Sequence, residues 1–338
     1  MRAAVTGAGG LLGENLVRSL LHQGWRVVGI RRPDTPPLGA LAPEVEWRSC
    51  DIHDNDTLTA AFKGADVVFH CAAHVRQRFA PAPQIDRDNV GGTAGVLQAV
   101  RRARALRLVH CSSALALGVS EDGAPVTEEH TWNLDQHGMD TPYLRSKRAS
   151  ELAVLSATDV DAVVVNPTLM VGPGGRWLHG NALVQNVASG TMPGWPQGAV
   201  NYVGARDVAD AMVRAAERGQ TGERYLLSGE NLSWQALIGR IAAVAGVEPP
   251  PRPLPRWILS TAARCGAVTR GLGLNLPLPS PGVVSMMYHH GLVYSSEKAK
   301  RRLGFEAAPI EVPVSETLAW LRVRPKRLTW DDEVAVRS

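Results

Sequence analysis

Long apolar runs are missing from this sequence. No stretch among its 338 residues reaches the roughly 18 uninterrupted apolar residues of a membrane-spanning helix, so no integral membrane segment is expected. Paired cysteines are missing too. Cys50, Cys71, Cys111 and Cys265 make no CxxC motif, and three of them fall at or near the ends of predicted strands. That pattern points to reduced, buried, structural thiols rather than to a disulfide framework or a zinc site. His289-His290 has no companion cluster of ligands, so no metal is expected. Neither sign of charge dominates: 36 Lys and Arg against 32 Asp and Glu leave a net charge of +4. The densest basic run, Arg101, Arg102, Arg104 and Arg107, carries no interleaved aromatic residue. It reads as a solvated helix face, and nucleic acid is not an expected partner. No internal repeat is visible. The first predicted strand begins at Arg2, which leaves no room for a signal peptide, and a cytoplasmic location is the expectation. The 45% of apolar residues suffices for a core in one large α/β unit or in two lobes.

What the sequence does have is glycine in a telling place. Arg2 to Thr6 reads as a buried parallel strand, and Leu11, Leu12, Leu16, Leu20 and Leu21 recur at helical spacing. The stretch Val5-Thr6-Gly7-Ala8-Gly9-Gly10-Leu11-Leu12-Gly13 therefore runs from strand through a glycine-rich turn into a helix. Gly7 permits the tight turn, Gly10 removes a side chain where a pyrophosphate would approach, and Gly13 lets helix and strand pack closely. The helix N-terminus offers free N–H groups and positive potential to phosphate. A second strand, Arg26 to Ile30, delivers Arg31 and Arg32 to its carboxyl end. An acidic residue there binds the ribose 2′-hydroxyl of NAD, whereas arginine accommodates the 2′-phosphate of NADP. NADP is thus expected in preference to NAD, although two arginines in a loop also serve solubility.

A third strand, Val45 to Cys50, ends in Asp51-Ile52-His53-Asp54. Asp51 is placed either to accept from an adenine amino group or to cap the helix that runs to Phe62. The fourth strand, Ala65 to His70, is followed by Cys71-Ala72-Ala73, small residues where backbone must pass near a cofactor. Asn89-Val90-Gly91-Gly92-Thr93 opens a helix through Ala105, and a fifth strand from Arg107 to Cys111 ends at Ser112-Ser113-Ala114. This alternation predicts an α/β, Rossmann-type doubly wound parallel sheet with its ligands at the carboxyl ends of the strands. Ser113 then shares an edge with the glycine turn. A polar loop from Val119 to Met139 is long enough to be a functional flap. Thr141-Pro142-Tyr143 starts a helix that puts Tyr143 and Lys147 on one face. An ammonium beside a phenol lowers the tyrosine pKa and makes it a usable proton donor and acceptor near neutral pH. An amphipathic helix with a snorkelling lysine has the same spacing.

After a sixth strand, Ala162 to Val165, and Asn166-Pro167, the pattern loosens from Val171 on into glycine, proline and tryptophan. Residues 1–168 read as a dinucleotide-binding domain to which 200–218 return as a strand and a helix. Residues 169–199 and 219–330 read as a smaller C-terminal substrate lobe, and 331–338 as a tail. Trp257 to Arg270 forms a basic, partly apolar helix, suited to packing in that lobe or to weak association with a membrane surface.

Taken together, TGxxGxxG from Thr6 to Gly13, Asp51-Ile52-His53-Asp54, His70-Cys71-Ala72-Ala73, Asn89-Val90-Gly91-Gly92-Thr93, Ser112-Ser113, Tyr143-Leu144-Arg145-Ser146-Lys147 and Asn166-Pro167 resemble the extended short-chain dehydrogenase/reductase superfamily. The resemblance covers almost the whole chain. It is nearest to the branch of dihydroflavonol 4-reductase-like, 3β-hydroxysteroid dehydrogenase-like and hopanoid-associated sugar epimerase-like enzymes. It implies that Tyr143 is the general acid, that Lys147 holds the nicotinamide ribose and tunes Tyr143, and that Ser113 bonds the substrate carbonyl. The implied cofactor cradle comprises Thr6, Gly7, Gly9, Gly10, Leu11, Leu12, Gly13, Arg31, Arg32, Asp51, Ile52, Cys71, Ala72, Ala73, Asn89, Tyr143, Lys147, Asn166, Pro167 and Leu169. Helix pairs in that superfamily often dimerise, so a homodimer is the implied assembly.

Departures from the family pattern bear on the substrate. Nucleotide-sugar epimerases of the superfamily carry an asparagine where this chain has Leu169, and an arginine where it has Val200. Without those partners a diphosphate is poorly held, since hydrogen bonds to charged groups contribute roughly 1.5–3 kcal/mol each. Dehydratases place an Asp-Glu pair after the catalytic Ser or Thr, and here Ala114-Leu115 follows Ser113. The expected pocket, Ser113, Leu115, Met170, Trp177, Trp195 and Met287, is largely apolar. The sequence therefore points to an NADP-preferring reductase of a ketone on an apolar or aromatic small molecule of lipid, steroid-like or secondary metabolism. An epimerase of a sugar or polyol derivative with retained cofactor, and a catalytically silent NADP-binding protein, are the alternatives.

Overall fold

Strands that are apolar at almost every position must be covered on both faces, and that requirement builds this molecule. The structure is a computed structural model, and it describes residues 1–33, 35, 41, 43–75, 82–175, 180–271, 276 and 278–323. Trp177, the end of the expected lobe at 324–330 and the expected tail at 331–338 lie outside the described residues. The strands are β1 (Arg2–Thr6), β2 (Arg26–Arg31), β3 (Glu46–Ser49), β4 (Val67–His70), β5 (Arg107–Cys111), β6 (Ala162–Pro167), β7 (Leu169–Val171), β8 (Ala199–Gly204), β9 (Arg224–Leu227) and β10 (Glu230–Ser233). The first six helices are α1 (Leu11–His22), α2 (Asn55–Phe62), α3 (Ala82–Asp86), α4 (Gly92–Ala103), α5 (Pro142–Leu155) and α6 (Asn181–Ala188). The rest are α7 (Ala205–Arg218), α8 (Trp234–Ala245), α9 (Arg256–Gly271), α10 (Pro281–Met287), α11 (Glu297–Leu303) and α12 (Glu311–Val323).

Seven strands form one parallel sheet in the order β3-β2-β1-β4-β5-β6-β9. The order reverses between β1 and β4, the place where a doubly wound sheet opens a crevice beyond its carboxyl edge. Side chains alternate between the two faces, as the period of a strand demands. Ala3, Val5, Phe69, Val109 and Val163 pack under α1, α7 and α11, whereas Ala4, Val28, Val68, Leu108 and Val164 pack under α2, α4 and α5. Local chemistry sets the helix starts: Asp54 accepts from Asp56 and Thr57 N–H, Thr141 from Leu144 N–H with Pro142 following, and Ser233 from Ala236 N–H.

A three-stranded sheet, β10-β8-β7, makes a second layer with α6, α8 and α12 around Val184, Tyr202, Leu237, Ile241 and Val314. Its make-up corrects two readings. The stretch 200–218 does not return as a unit, because β8 stays in the small sheet while α7 packs on α1. Arg224–Leu227, expected in the smaller lobe, is the edge strand β9 of the large sheet, since its apolar side chains complete the core beside β6. The loop 119–139 is no flap. Val119, Val126, Leu134 and Met139 are buried in it, and the carboxylate of Glu128, 6% exposed, accepts from Leu226 N–H at 2.8 Å. Nor does Asn89 open a helix: helix begins at Ala82 and passes through a π-helical turn, Arg87–Gly91, before α4.

His70 and His110 face each other across β4 and β5, with ring centroids 5.1 Å apart, and both are 1% exposed. Burial pushes His70 down to about 3 and holds His110 well below the usual imidazole range, with the Lys147 charge adding to both. An unfolded chain takes up protons at these imidazoles near pH 6.5, while the folded chain does not, so their contribution is complete above that pH. It is lost as pH falls toward the folded values, by up to about 1.4 kcal/mol per pH unit for each ring. We expect the urea midpoint to fall between pH 7 and pH 5, and His110→Leu to make that fall shallower; an unaltered slope would refute the assignment.

Candidate active site

The glycine turn is built as tightly as the sequence requires. Gly7 has φ +71°, in the left-handed region, and a Cβ there would lie 2.7–2.8 Å from backbone atoms of Cys71 and Ala72. A Cβ on Gly13 would lie 2.1 Å from the Gly7 carbonyl oxygen. The middle pair divides differently from expectation. A Cβ on Gly10 meets that same carbonyl at 3.3 Å, while one on Gly9 meets nothing within 4 Å, so Gly9 is the position that borders open space. No side chain caps α1 at Gly10, and the side chains of Leu11 and Leu12 turn into the core. The uncapped helix start suits an anion such as a dinucleotide pyrophosphate. One contact here escaped the sequence reading. Glu14 Oε2 accepts from Gly175 N–H at 2.7 Å and Asn15 Nδ2 donates to the Pro173 carbonyl at 2.8 Å, tying the segment after β7 to the start of α1.

Around the turn, several expected cofactor residues prove to be committed elsewhere. The Thr6 hydroxyl lies 2.8 Å from His70 Nδ1 and accepts from Ala72 N–H, while His70 Nε2 meets the Thr93 hydroxyl at 3.1 Å. Asn89 is 3% exposed; its amide accepts from His74 N–H at 2.6 Å and donates to Ser146 Oγ at 2.8 Å, pinning the segment after Cys71-Ala72-Ala73 to α5. Asp51 is exposed and accepts from His53 N–H, leaving the cap to Asp54. Ile52 packs over Gly92 at the start of α4. Arg31, half-buried, donates to the carbonyls of Thr35 and Arg32, and its Nε is buried without a partner among the described residues. Arg32 is exposed beside it.

Tyr143 and Lys147 lie on α5, which packs against the segment that follows β5 and carries Ser113. Lys147, 4% exposed, donates to the Cys111 carbonyl at 2.6 Å. Ser113 Oγ accepts from Leu115 N–H, at the start of a 3-10 turn, Ala114–Ala116. The expected lowering of Tyr143 by Lys147 is absent. Burial raises the Tyr143 phenol well above its ordinary value, with the Cys111 thiol beside it adding to the rise. Shared helix face is not contact: the ammonium is engaged by a backbone carbonyl, and desolvation sets the direction at the phenol. Burial also lowers Lys147, while Cys111, Glu151 and Cys71 raise it.

Glu151 is the residue that spacing alone did not flag. It lies one turn beyond Lys147 on α5, is 1% exposed, and accepts from Asn166 Nδ2 at 2.6 Å and from Arg224 at 3.0 Å. The same Asn166 amide donates to the Ser113 carbonyl at 3.0 Å. Asn166, expected at the cofactor, thus points inward and links α5, β9 and the Ser113 segment, with Pro167 buried next to it. Leu169 is 36% exposed, Val200 is 3% exposed in the small-lobe core, and Met170 packs against the core of the large sheet. Leu115, Trp132, Tyr143 and Met286 all pack against one buried apolar cluster. Trp195 lines a cavity of about 580 Å³ in the small lobe with Asn231, Ser233 and His290; Ser113, Tyr143 and Lys147 are not part of its wall.

Fold and site define a class: a dinucleotide-dependent oxidoreductase on a doubly wound sheet, with a smaller lobe appended at its carboxyl edge. Comparison with known proteins is consistent with this. The model of the NAD dependent epimerase/dehydratase family matches residues 3–228. The chain is 31% identical over 333 residues to "Sterol demethylase protein B" of Methylococcus capsulatus, covering 96% of this chain and 99% of that one. It is 27% identical over 332 residues to the 4-hydroxy-2-methyl-3-oxo-4-farnesyl-3,4-dihydroquinoline-1-oxide ketoreductase of Stigmatella aurantiaca, covering 90% and 92%. The crystal structure of gox2253 superposes with a TM-score of 0.81 at 31% identity, covering 95% and 97%. The chain belongs to the NAD dependent epimerase/dehydratase family, the extended short-chain dehydrogenase/reductases, and is an NAD(P)-dependent oxidoreductase. Among the described residues no cluster could hold a metal ion, and no helix is long and apolar enough to cross a membrane.

Glu151→Gln keeps the shape of the network but removes its charge. We expect turnover to fall by roughly tenfold or more and the alkaline limb of the turnover–pH profile to move to lower pH, because Lys147 loses a negative neighbour. A limb that stays in place would reduce Glu151 to a structural part.

Proposed function

We propose that this enzyme is an NADP-preferring ketone reductase, or alcohol dehydrogenase in reverse, for an apolar or aromatic small molecule of lipid, steroid-like or secondary metabolism. The observation that carries this reading is the company Tyr143 keeps. The half-buried Tyr143 packs against the same apolar core as Leu115, Trp132 and Met286, its phenol kept neutral by desolvation, and one turn along α5 the Lys147 ammonium is fixed by the Cys111 carbonyl. A neutral phenol is the form that donates a proton, which suits it to the oxygen of a carbonyl under reduction. The names of two relatives, which refer to a sterol and to a farnesyl quinoline, support an apolar substrate.

The residues present fit a dinucleotide. Gly9 leaves room beside an uncapped helix start, and Arg31 ends β2 with a buried Nε to satisfy. When bound, the nicotinamide supplies or accepts the hydride. This chain's residues then hold and move the proton. Ser113 Oγ bonds the substrate oxygen, and Tyr143 gives its phenolic proton to that oxygen as negative charge develops on it. Lys147 would hold the nicotinamide ribose, and Glu151 favours the charged form of that ammonium within a buried site. The apolar surroundings exclude water, which strengthens each of these electrostatic interactions. Leu169 and Val200 leave a sugar diphosphate without its usual polar partners, which favours a ketone over a nucleotide sugar.

Tyr143→Phe should lower turnover by roughly 10²-fold or more with NADPH affinity unchanged; turnover at the wild-type rate would sink the mechanism. Stoichiometric NADPH oxidation with a ketone is the expected reaction, and turnover without net cofactor change would point to epimerisation instead. Arg31→Asp should shift preference from NADPH toward NADH, read as the ratio of their dissociation constants; an unchanged ratio would remove Arg31 from the 2′-phosphate site.

A further inference from the structure

From Pro249 to Ser296 the chain contains no Asp, Glu or Lys, although Asp and Glu number 32 over the whole sequence. The same stretch carries Arg252, Arg256, Arg264 and Arg270 and includes the whole of α9. One side of α9 faces the protein, with Ala263 1% exposed and Gly266 buried, and packs on α10. The other side faces outward. Trp257 is 69% exposed and Val268 65%, with exposed Thr261 and Arg264 between them at helical spacing and Ile258 alongside. Arg252, Arg256 and Arg264 are exposed and make no ion pair among the described residues, whereas Arg101, Arg102, Arg145 and Arg240 elsewhere are each paired with a carboxylate.

We propose that the outer face of α9 docks this protein on an anionic lipid surface, its tryptophan and valine entering the headgroup region and its arginines meeting lipid phosphates. A helix with one packed side, and an outer side of Trp, Ile, Val and Arg without acids, has the chemistry of an interfacial helix. A second copy of the chain fits this face less well, because a two-fold contact would set each unpaired arginine cluster against itself. α9 rests on α10, whose Met286 packs against the same buried cluster as Tyr143, so the docking face lies one helix away from the proposed site. The docking itself does not depend on the identity of the substrate.

The test is co-sedimentation of the full chain with vesicles of phosphatidylcholine alone and of phosphatidylcholine with roughly one third phosphatidylglycerol. We expect binding to the mixed vesicles, weakened roughly tenfold by Arg264→Glu and by the pair Trp257→Ser with Val268→Ser, and lost at high salt. Leu106→Ser, which removes an equally exposed apolar side chain elsewhere (70% exposed), should bind as the parent does. Circular dichroism and melting of each variant establish that it is folded. Binding to neither vesicle, or binding that either α9 variant leaves unchanged, overturns the proposal. So does a dimer on size exclusion that Trp257→Ser converts to monomer, which would make this face an interface between copies.

Discussion

Three backbone segments meet at Gly7, and the rest of the molecule is arranged about that meeting. A side chain there would strike the backbone of Cys71 and Ala72, and one at Gly13 would strike the Gly7 carbonyl. Strand β1, helix α1 and the end of β4 are therefore held closer than any residue with a Cβ allows. That closeness opens the crevice at the reversal of strand order and leaves the start of α1 uncapped toward it. The small lobe is tied to the same point, since Glu14 and Asn15 on α1 hold the segment at Pro173 and Gly175. Cofactor turn and lobe attachment thus share one helix turn.

Across the sheet the organising cost is a buried cation. Burying an ammonium costs several kcal/mol unless it is paired or hydrogen-bonded. Lys147 is held by the Cys111 carbonyl, with Glu151 one turn away to favour its charge. Glu151 is itself compensated by Arg224 and by Asn166, which reaches on to the Ser113 carbonyl. The Ser113 backbone and, through Glu151, the Lys147 ammonium are thereby tied to a network that spans α5, β6 and β9. The apolar residues around Tyr143 are part of the same logic. The desolvation they impose keeps its phenol neutral.

The sequence by itself determined the elements and their order. Apolar alternation, the glycine turn and caps such as Thr141 are local signals, and the strands through β6 and the helices α1, α2 and α5 that rest on them agree with the structure. Strand order likewise placed Ser113 at the edge that carries the glycine turn, because a parallel strand always delivers its last residues there. Tertiary structure alone decided which partners those residues have. Asn89, Asn166 and Thr6 lie in motifs that resemble cofactor contacts, yet their side chains satisfy buried backbone and side-chain groups whose positions depend on distant segments. The pKa direction at Tyr143 reversed for the same reason, since burial is a property of the packed core and not of a four-residue spacing. Strand β9 went to the large sheet because hydrogen-bond partners for an edge strand are fixed by the sheet already formed.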